Sequence, residues 1–160
     1  MLSPRQMVFV GRNYAEHAKE MGNDVPREPL LFLKPSSSII QDGEAIVLHK
    51  ASSHIELEGE IGLVIGRRLH RATAAEALKA LTHVVAINDV SARDLQKSDR
   101  QWARAKGMDT FCPIGLPAPV PIDLSSMTIV SSLNGVECQR GSARDMVFSI
   151  PTLLSYISQY

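Results

Sequence analysis

The chain has 160 residues, 44% of them hydrophobic, which is long enough for one domain with its own core. Lysine plus arginine and aspartate plus glutamate number 17 each, so the formal net charge is zero and no strong field favours nucleic acid or an anionic membrane as a partner. No apolar run reaches the roughly 20 residues of a membrane-spanning helix, and the spacing of Cys112 and Cys138 fits a reducing cytosol, so we expect a soluble, cytoplasmic single domain over residues 1–160 that acts on a small molecule.

The first half of the chain consists of short apolar runs separated by breakers. The predicted elements are, in chain order, a strand at 7–10, a helix at 13–21, a strand at 30–34, an apolar segment at 45–48 and an acidic strand at 55–66. Asn13 is a suitable N-cap for the helix, and Gly22 with Asn23 ends it. Pro26 and Pro29 favour extended backbone, which leads into the strand that follows.

The second half predicts further short elements. In chain order, they are a helix from 73 to about 81, a strand at 84–87, a turn or short helix at 91–96, a loop at 112–121, hairpin strands at 127–133 and 136–139, and a helix-compatible end at 147–160. Thr73 and Glu76 form a capping-box pattern, and Asn134-Gly135 indicates a hairpin turn. Because strands outnumber helices without a strand–helix–strand rhythm, we predict a mainly antiparallel, β-rich α+β fold.

The acidic run at 55–66 is the most informative feature for function. Glu58 and Glu60 are two residues apart, so on a strand their side chains point to the same face. Two carboxylates beside an apolar core repel each other unless a cation neutralises them, and hard oxygen ligands favour Mg²⁺, Mn²⁺ or Ca²⁺. A pair of acids on a solvated strand face is the alternative interpretation of this pattern.

Four other side chains are candidates for the same site. Asp89 ends an apolar strand and could be a third ligand, and Lys106 could stabilise negative charge that develops near a metal. His17 and Glu20 are three residues apart on the first predicted helix, and a carboxylate beside an imidazole suits a general base acting on water. Taken one at a time, these residues also fit ordinary roles as a turn aspartate, a solvated lysine and a surface ion pair.

Six stretches of the chain together resemble the fumarylacetoacetate hydrolase family. They are Val-Gly-Arg-Asn-Tyr-Ala-Glu-His-Ala-Lys-Glu from Val10, Pro-Leu-Leu-Phe-Leu-Lys-Pro from Pro29, Glu-Gly-Glu-Ile-Gly-Leu-Val-Ile-Gly from Glu58, Asn-Asp-Val-Ser-Ala-Arg-Asp-Leu-Gln from Asn88, Lys106 with Asp-Thr-Phe-Cys-Pro-Ile-Gly from Asp109, and Asn-Gly-Val-Glu-Cys-Gln from Asn134. They span residues 7–160 in the family's order and resemble its small single-domain branch, which includes acylpyruvases, oxaloacetate decarboxylases, fumarylpyruvate hydrolases and dienedioate isomerases. The resemblance implies a mixed β-sandwich roll that lacks its C-terminal strands in this sequence, so we expect the fold and one pocket wall to be incomplete.

The resemblance also implies roles for particular residues. The implied metal ligands are Glu58, Glu60 and Asp89, the catalytic residues are His17, Glu20 and Lys106, and the substrate-binding residues are Arg93, Gln96 and Gln139. The metal would be Mg²⁺ or Mn²⁺, with Ca²⁺ as a substitute. The dyad of His17 and Glu20 would lie on a lid and activate water, and Lys106 would stabilise the enolate that forms. Lys34 lies in a matching motif without a definite role.

The expected function is that of a divalent-metal-dependent hydrolase, working as a homodimer, that cleaves a C–C bond in acylpyruvate- or fumarylpyruvate-like 1,3-dicarbonyl 2-oxo acids. A metal chelated by the 2-oxo acid substrate accepts the electron pair of the broken bond. An oxaloacetate-type decarboxylase or a dienedioate isomerase would use the same site, and the presence of both dyad residues favours hydrolysis over these two. A metal-binding fragment without turnover is the remaining alternative, because the pocket is expected to be incomplete.

Overall fold

A computed structural model describes residues 4–14 and 26–160. The strands are β1 (Met7–Gly11), β2 (Leu30–Lys34), β3 (Ile39–Gln41), β4 (Ile55–Glu56), β5 (Gly59–Ile65), β6 (Leu81–Asn88), β7 (Ser91–Ala92), β8 (Cys112–Ile114), β9 (Ala118–Pro119), β10 (Thr128–Leu133) and β11 (Val136–Ser142). The α-helices are α1 (Ala74–Leu78), α2 (Arg93–Ser98), α3 (Ala103–Lys106) and α4 (Ile150–Ile157), and short 3-10 helices lie at 36–38, 124–126 and 143–145. None of the helices in the described ranges is long and apolar enough to cross a membrane.

The largest sheet has the strand order β3-β8-β6-β5, with β9 also paired to β6. Its longest ladder joins β5 and β6 in antiparallel register, from Gly59 opposite Asn88 to Ile65 opposite Leu81. Three two-stranded sheets, β1-β2, β4-β7 and β10-β11, complete the described strands. Pairing is antiparallel throughout the described residues except between β3 and β8, so the predicted β-rich, mainly antiparallel α+β fold is confirmed.

The acidic run at 55–66 forms two strands instead of the single predicted one. β4 pairs with β7, whereas β5 pairs with β6, so the chain passes from one sheet to another at Leu57 and Glu58. The interruption arises because the two halves have different partner strands. As a result, Glu58 lies at the junction of two sheets, directly before the first residue of β5.

The prediction that 112–121 is only a loop is wrong, since β8 and β9 lie within it. Proline lacks an N–H but keeps its carbonyl, and Pro113 occupies a position of β8 opposite Ile40 of β3. The neighbours of Pro113, Cys112 and Ile114, are buried in the core, which holds the segment extended. Pro119 lies in the short strand β9, where a missing N–H is tolerated.

The two local signals in the second half are confirmed. Thr73 and Glu76 form the predicted capping box of α1. That helix ends at Leu78, before the predicted residue 81, because Leu81 already belongs to β6. Asn134 and Gly135 have φ values of 52° and 82°, as the predicted two-residue hairpin turn between β10 and β11 requires.

Three apolar clusters hold the described elements together. The first contains Met7, Phe9, Val85, Cys112 and Ile114, the second joins α1 to α4 through Ala72, Ala77, Ile150 and Leu154, and the third contains Val90, Ala92 and Phe111. Phe111 has no exposed surface, and its carbonyl accepts the N–H of Val90 at 3.2 Å. The third cluster therefore supports the link between β6 and β7, which begins at Asp89. The predicted helix at 13–21 lies almost entirely outside the described residues. In the part of it that is described, Tyr14 forms an isolated β-bridge with Met146.

We predict that Thr73→Ala lowers the free energy of unfolding by about 1 kcal/mol, because the N–H of Glu76 loses its side-chain acceptor. Urea denaturation followed by circular dichroism measures the change. Thr73→Ser keeps a hydroxyl at the N-cap and should stay close to wild type. Equal stability of the alanine and serine variants would contradict a stabilising cap.

Candidate active site

The backbone brings Glu58 and Asp89 together just beyond the end of the β5–β6 ladder. The last pair of that ladder is Gly59 with Asn88, and the N–H of Asp89 donates to the carbonyl of Glu58 at 2.8 Å. The N–H of Glu58 in turn donates to Oδ1 of Asn88 at 3.0 Å. Both acidic residues are thus placed by the same pair of strands, although they are 31 positions apart in the chain.

The ammonium group of Lys106, the last residue of α3, lies between these two carboxylates. Its Nζ donates to Oδ2 of Asp89 at 2.6 Å and also to Oε2 of Glu58. A third hydrogen bond of 2.6 Å goes to the hydroxyl of Ser91, so the three donors of the ammonium group have three acceptors. Lys106 is only 2% exposed, and its charge lies 5.2 Å from the centre of the Phe32 ring. This cation is held rigidly and is poorly screened by water.

A second lysine, Lys34 at the end of β2, binds the other oxygen of Asp89. Its Nζ lies 2.6 Å from Oδ1 of Asp89 and 3.2 Å from the carbonyl oxygen of Val90. The side chain of Lys34 has no exposed surface. Burial lowers the pKa of Lys34, and the neighbouring Asp89 carboxylate opposes that effect. Asp89 therefore has one carboxylate oxygen on each of two buried lysines.

Arg93 occupies the opposite side of Glu58. Its guanidinium donates to Oε1 of Glu58 at 2.5 Å and to Oε2 of Glu56 at 2.7 Å. A further bond of 2.8 Å goes to Oε1 of Gln96. Burial disfavours the charged guanidinium, but Glu58 and Glu56 outweigh burial and raise the pKa of Arg93. Arg93 thus links Glu58 to Glu56 and also holds Gln96, and the contact of Arg93 and Gln96 with a substrate carboxylate stays a prediction.

These contacts form one continuous group, which we call the charge cluster. In order of contact it contains Lys34, Asp89, Lys106, Glu58, Arg93 and Glu56. Positive and negative side chains alternate along it. Burying a charge is costly unless an opposite charge and hydrogen bonds compensate it, and the alternation supplies both. At its surface end, His54 lies 2.7 Å from Glu56.

Glu60, the third predicted metal ligand, is the second residue of β5 and lies opposite Ile87. The pKa of Tyr14 is raised to about 12 by burial, with the negative charge of Glu60 as a further cause. Across residues 4–14 and 26–160, no three His, Cys, Asp or Glu side chains converge in a way that could hold a metal ion. Glu58 and Asp89 share the Lys106 ammonium in this structure. Coordination of a metal by the three acids stays a prediction.

Three predicted site residues, His17, Glu20 and Gln139, remain to be located. His17 and Glu20 lie outside the described residues. Gln139 is described, and its side-chain amide pairs with the peptide of Gly59, so its predicted contact with substrate stays untested. Ser91 and Glu56 contact the site without having been predicted. The available signal was their position, since each lies two residues from a predicted ligand.

The family described as fumarylacetoacetate (FAA) hydrolase, C-terminal, matches residues 6–160. The chain belongs to this family. It is 38% identical over 159 residues to the 2,4-didehydro-3-deoxy-L-rhamnonate hydrolase of a Sphingomonas species, covering 97% of this chain and 56% of that protein. It is also 38% identical over 161 residues to the mitochondrial oxaloacetate decarboxylase of Dictyostelium discoideum, covering 96% of this chain and 74% of that protein.

Solved structures of the family share this fold. The 5-carboxymethyl-2-hydroxymuconate delta-isomerase from Mycobacterium smegmatis matches with a TM-score of 0.89 and 38% identity, covering 98% of this chain and 62% of that chain. The similarity therefore confirms the resemblance seen in the six sequence stretches. Measured against these three relatives, the chain spans between 56% and 74% of their length.

We predict that Lys34→Met lowers the free energy of unfolding by about 3 kcal/mol, because removing one partner of a buried ion pair leaves part of the Asp89 charge uncompensated. Chemical denaturation measures the change, and the cost should shrink in an Asp89→Asn background. Arg140→Met is the matched control, since it breaks an exposed ion pair with Glu137 and should leave stability unchanged. Equal effects of the two methionine substitutions would contradict a stabilising role for the buried pair.

Proposed function

We propose that this chain carries the active site of a divalent-metal-dependent hydrolase that cleaves a C–C bond in acylpyruvate- or fumarylpyruvate-like 1,3-dicarbonyl 2-oxo acids. The observation that best supports the proposal is the buried Lys106 ammonium, held against Glu58 and Asp89 together. Cleavage beside a carbonyl places negative charge on an enolate oxygen, and a fixed cation in a poorly screened site stabilises such charge. The family includes hydrolases, decarboxylases and isomerases, which is consistent with a shared enolate-stabilising site.

The donor set fits a hard divalent cation. Glu58, Glu60 and Asp89 would hold Mg²⁺ or Mn²⁺ through carboxylate oxygens, with Ca²⁺ as a substitute. Two of these carboxylates already converge on one cationic group, the Lys106 ammonium. When bound, the metal would act as a Lewis acid that polarises the oxygens of a 2-oxo acid.

The charge of the surrounding residues favours an anionic substrate. Glu60 and the charge cluster together contain four acidic and three basic side chains, which gives a net charge of −1. A divalent cation changes this to +1, so the carboxylate of a 2-oxo acid would restore the charge balance of the site. Lys106 would then face the substrate oxygen on which charge develops. Arg93 and Gln96 are already fixed against each other at 2.8 Å, close to Glu58.

Hydrolysis needs a water molecule that attacks the substrate, whereas decarboxylation only releases CO₂ from it. In the hydrolase, water would give a proton to His17, oriented by Glu20, and its oxygen would add to the carbonyl carbon remote from the 2-oxo acid. The C–C bond then breaks, its electron pair enters the enolate of the departing 2-oxo acid, and the proton returns to carbon. A decarboxylase needs no such water. The similarity to the Dictyostelium oxaloacetate decarboxylase makes decarboxylation the second candidate, beside dienedioate isomerisation and metal binding without turnover.

We predict that Glu60→Gln and Asp89→Asn each weaken Mn²⁺ binding more than about tenfold, because each removes a charged oxygen ligand. Electron paramagnetic resonance of unbound Mn²⁺ measures the dissociation constant without any substrate. Glu137→Gln neutralises an exposed carboxylate that pairs with Arg140 and should bind Mn²⁺ like wild type. Wild-type affinity in Glu60→Gln would overturn the ligand assignment.

We also predict that the Mg²⁺-loaded protein consumes acetylpyruvate, measured as loss of its absorbance, and that His17→Ala abolishes this reaction. Release of CO₂ from oxaloacetate, assayed in parallel, should largely survive His17→Ala, because it needs no activated water. Lys106→Met should lower kcat for either substrate about 10²- to 10³-fold, since both reactions form an enolate.

Two outcomes would change the assignment. Turnover of oxaloacetate alone would identify a decarboxylase. If neither substrate reacts while Mn²⁺ still binds, the chain is a metal-binding unit without turnover of these compounds.

A further inference from the structure

The side-chain amide of Gln139 is paired with the peptide of Gly59, 80 positions away in the sequence. The N–H of Gly59 donates to Oε1 of Gln139 at 2.7 Å, and Nε2 of Gln139 donates to the carbonyl of Gly59 at 2.8 Å. The two bonds also define the amide orientation, because a flipped amide would face donor with donor and acceptor with acceptor. Gln139 thus binds Gly59 as a neighbouring strand would.

The paired peptide lies between two predicted metal ligands, Glu58 and Glu60. Along an antiparallel strand, backbone groups alternate between facing the neighbouring strand and facing away from it. The carbonyl of Glu58 faces β6, where it accepts the N–H of Asp89, whereas the polar groups of Gly59 face Gln139. Among the described strands, β5 is the last in the order of its sheet, so Gln139 lies at an edge to which no described strand is paired.

The hairpin of β10 and β11 lies directly against this peptide. Ser131 is the register partner of Gln139, and its hydroxyl donates to Oε1 of Gln139 at 3.0 Å. A Cβ at residue 59 would lie 2.2 Å from the Ser131 hydroxyl oxygen, so any larger residue would displace that hydroxyl from its present position. Oε1 of Gln139 therefore accepts two hydrogen bonds, which use both of its lone pairs.

We infer that Gln139 is a positioning residue that holds the Gly59 peptide and thereby directs the flanking Glu58 and Glu60 side chains towards the metal. This role rests on the proposed function and differs from the substrate contact that the family resemblance implies. A ligand that displaced Oε1 of Gln139 would leave the Gly59 N–H without its acceptor. This hydrogen bond is part-buried, and losing it without a replacement costs free energy, so the amide is better suited to holding the strand than to binding substrate.

The first test measures Mn²⁺ binding without substrate in Gln139→Met, which keeps the length of the side chain and removes both polar atoms. We expect the dissociation constant to rise about tenfold, which corresponds to about 1.4 kcal/mol. Ser131→Ala leaves the amide pair intact and should give a smaller rise, and it remains available if the methionine variant does not fold. Glu137→Gln is the matched control, because Glu137 lies on the same strand in an exposed ion pair with Arg140 and should bind Mn²⁺ like wild type.

The second test is hydrogen–deuterium exchange of the Gly59 amide in the metal-free protein. Gln139→Met should exchange at least tenfold faster than wild type, and Glu137→Gln should exchange at the wild-type rate. Unchanged Mn²⁺ affinity together with a raised KM would identify Gln139 as a substrate-binding residue and overturn the inference.

The metal assignment and the role of Gln139 can be tested independently of each other. If Glu60→Gln binds Mn²⁺ like wild type, the metal assignment is wrong whatever Gln139 does. The exchange rate at Gly59 still decides the structural part of the inference. Faster exchange of the Gly59 amide in Gln139→Met would support the conclusion that Gln139 holds this peptide, and unchanged exchange would refute it.

Discussion

The contact of the Lys106 ammonium with Glu58 and Asp89 is the interaction on which the candidate site depends. A buried ammonium is stable only if each of its donors has an acceptor, and a buried carboxylate only if cations or N–H groups surround it. The β5–β6 ladder places the two acids side by side, and α3 carries the lysine to them. The cluster around Phe111 contains Val90 and so supports the link between β6 and β7 that holds Asp89 and leads to Ser91. The β5–β6 ladder and α3 therefore have to pack together for these charges to meet.

This arrangement bears on how one family can include hydrolases, decarboxylases and isomerases. An enolate is the common product of bond cleavage, loss of CO₂ or proton transfer next to a carbonyl, and a fixed cation stabilises it in every case. Under the proposed function, the charge cluster supplies this common part, with Lys34 and Arg93 keeping Asp89 and Glu58 in place. What distinguishes the reactions is the group that attacks or leaves. That group would be governed by residues outside the cluster, such as the proposed base His17.

The sequence predicted those features that depend on neighbours within a few positions. The Thr73–Glu76 capping box and the Asn134-Gly135 turn are such features, and both are confirmed. The division of the acidic run at Glu58 was missed because it depends on which strands pair with each half. The strand β8 was missed because proline signals a loop locally, whereas burial of Cys112 and Ile114 outweighs that preference.

For the site, the sequence by itself determined which chemical groups are present. They are two glutamates spaced two residues apart, an aspartate at the end of a strand, and a lysine and an arginine in the order typical of the family. Only the tertiary structure decided how these groups are connected. It placed Lys34 on Asp89 across 55 positions of sequence and Gln139 on Gly59 across 80. The physical reason is that local patterns report backbone preference and the spacing of side chains over a few residues. Partners of buried charges and of open strand edges are instead chosen by the packing of distant segments, which no local pattern records.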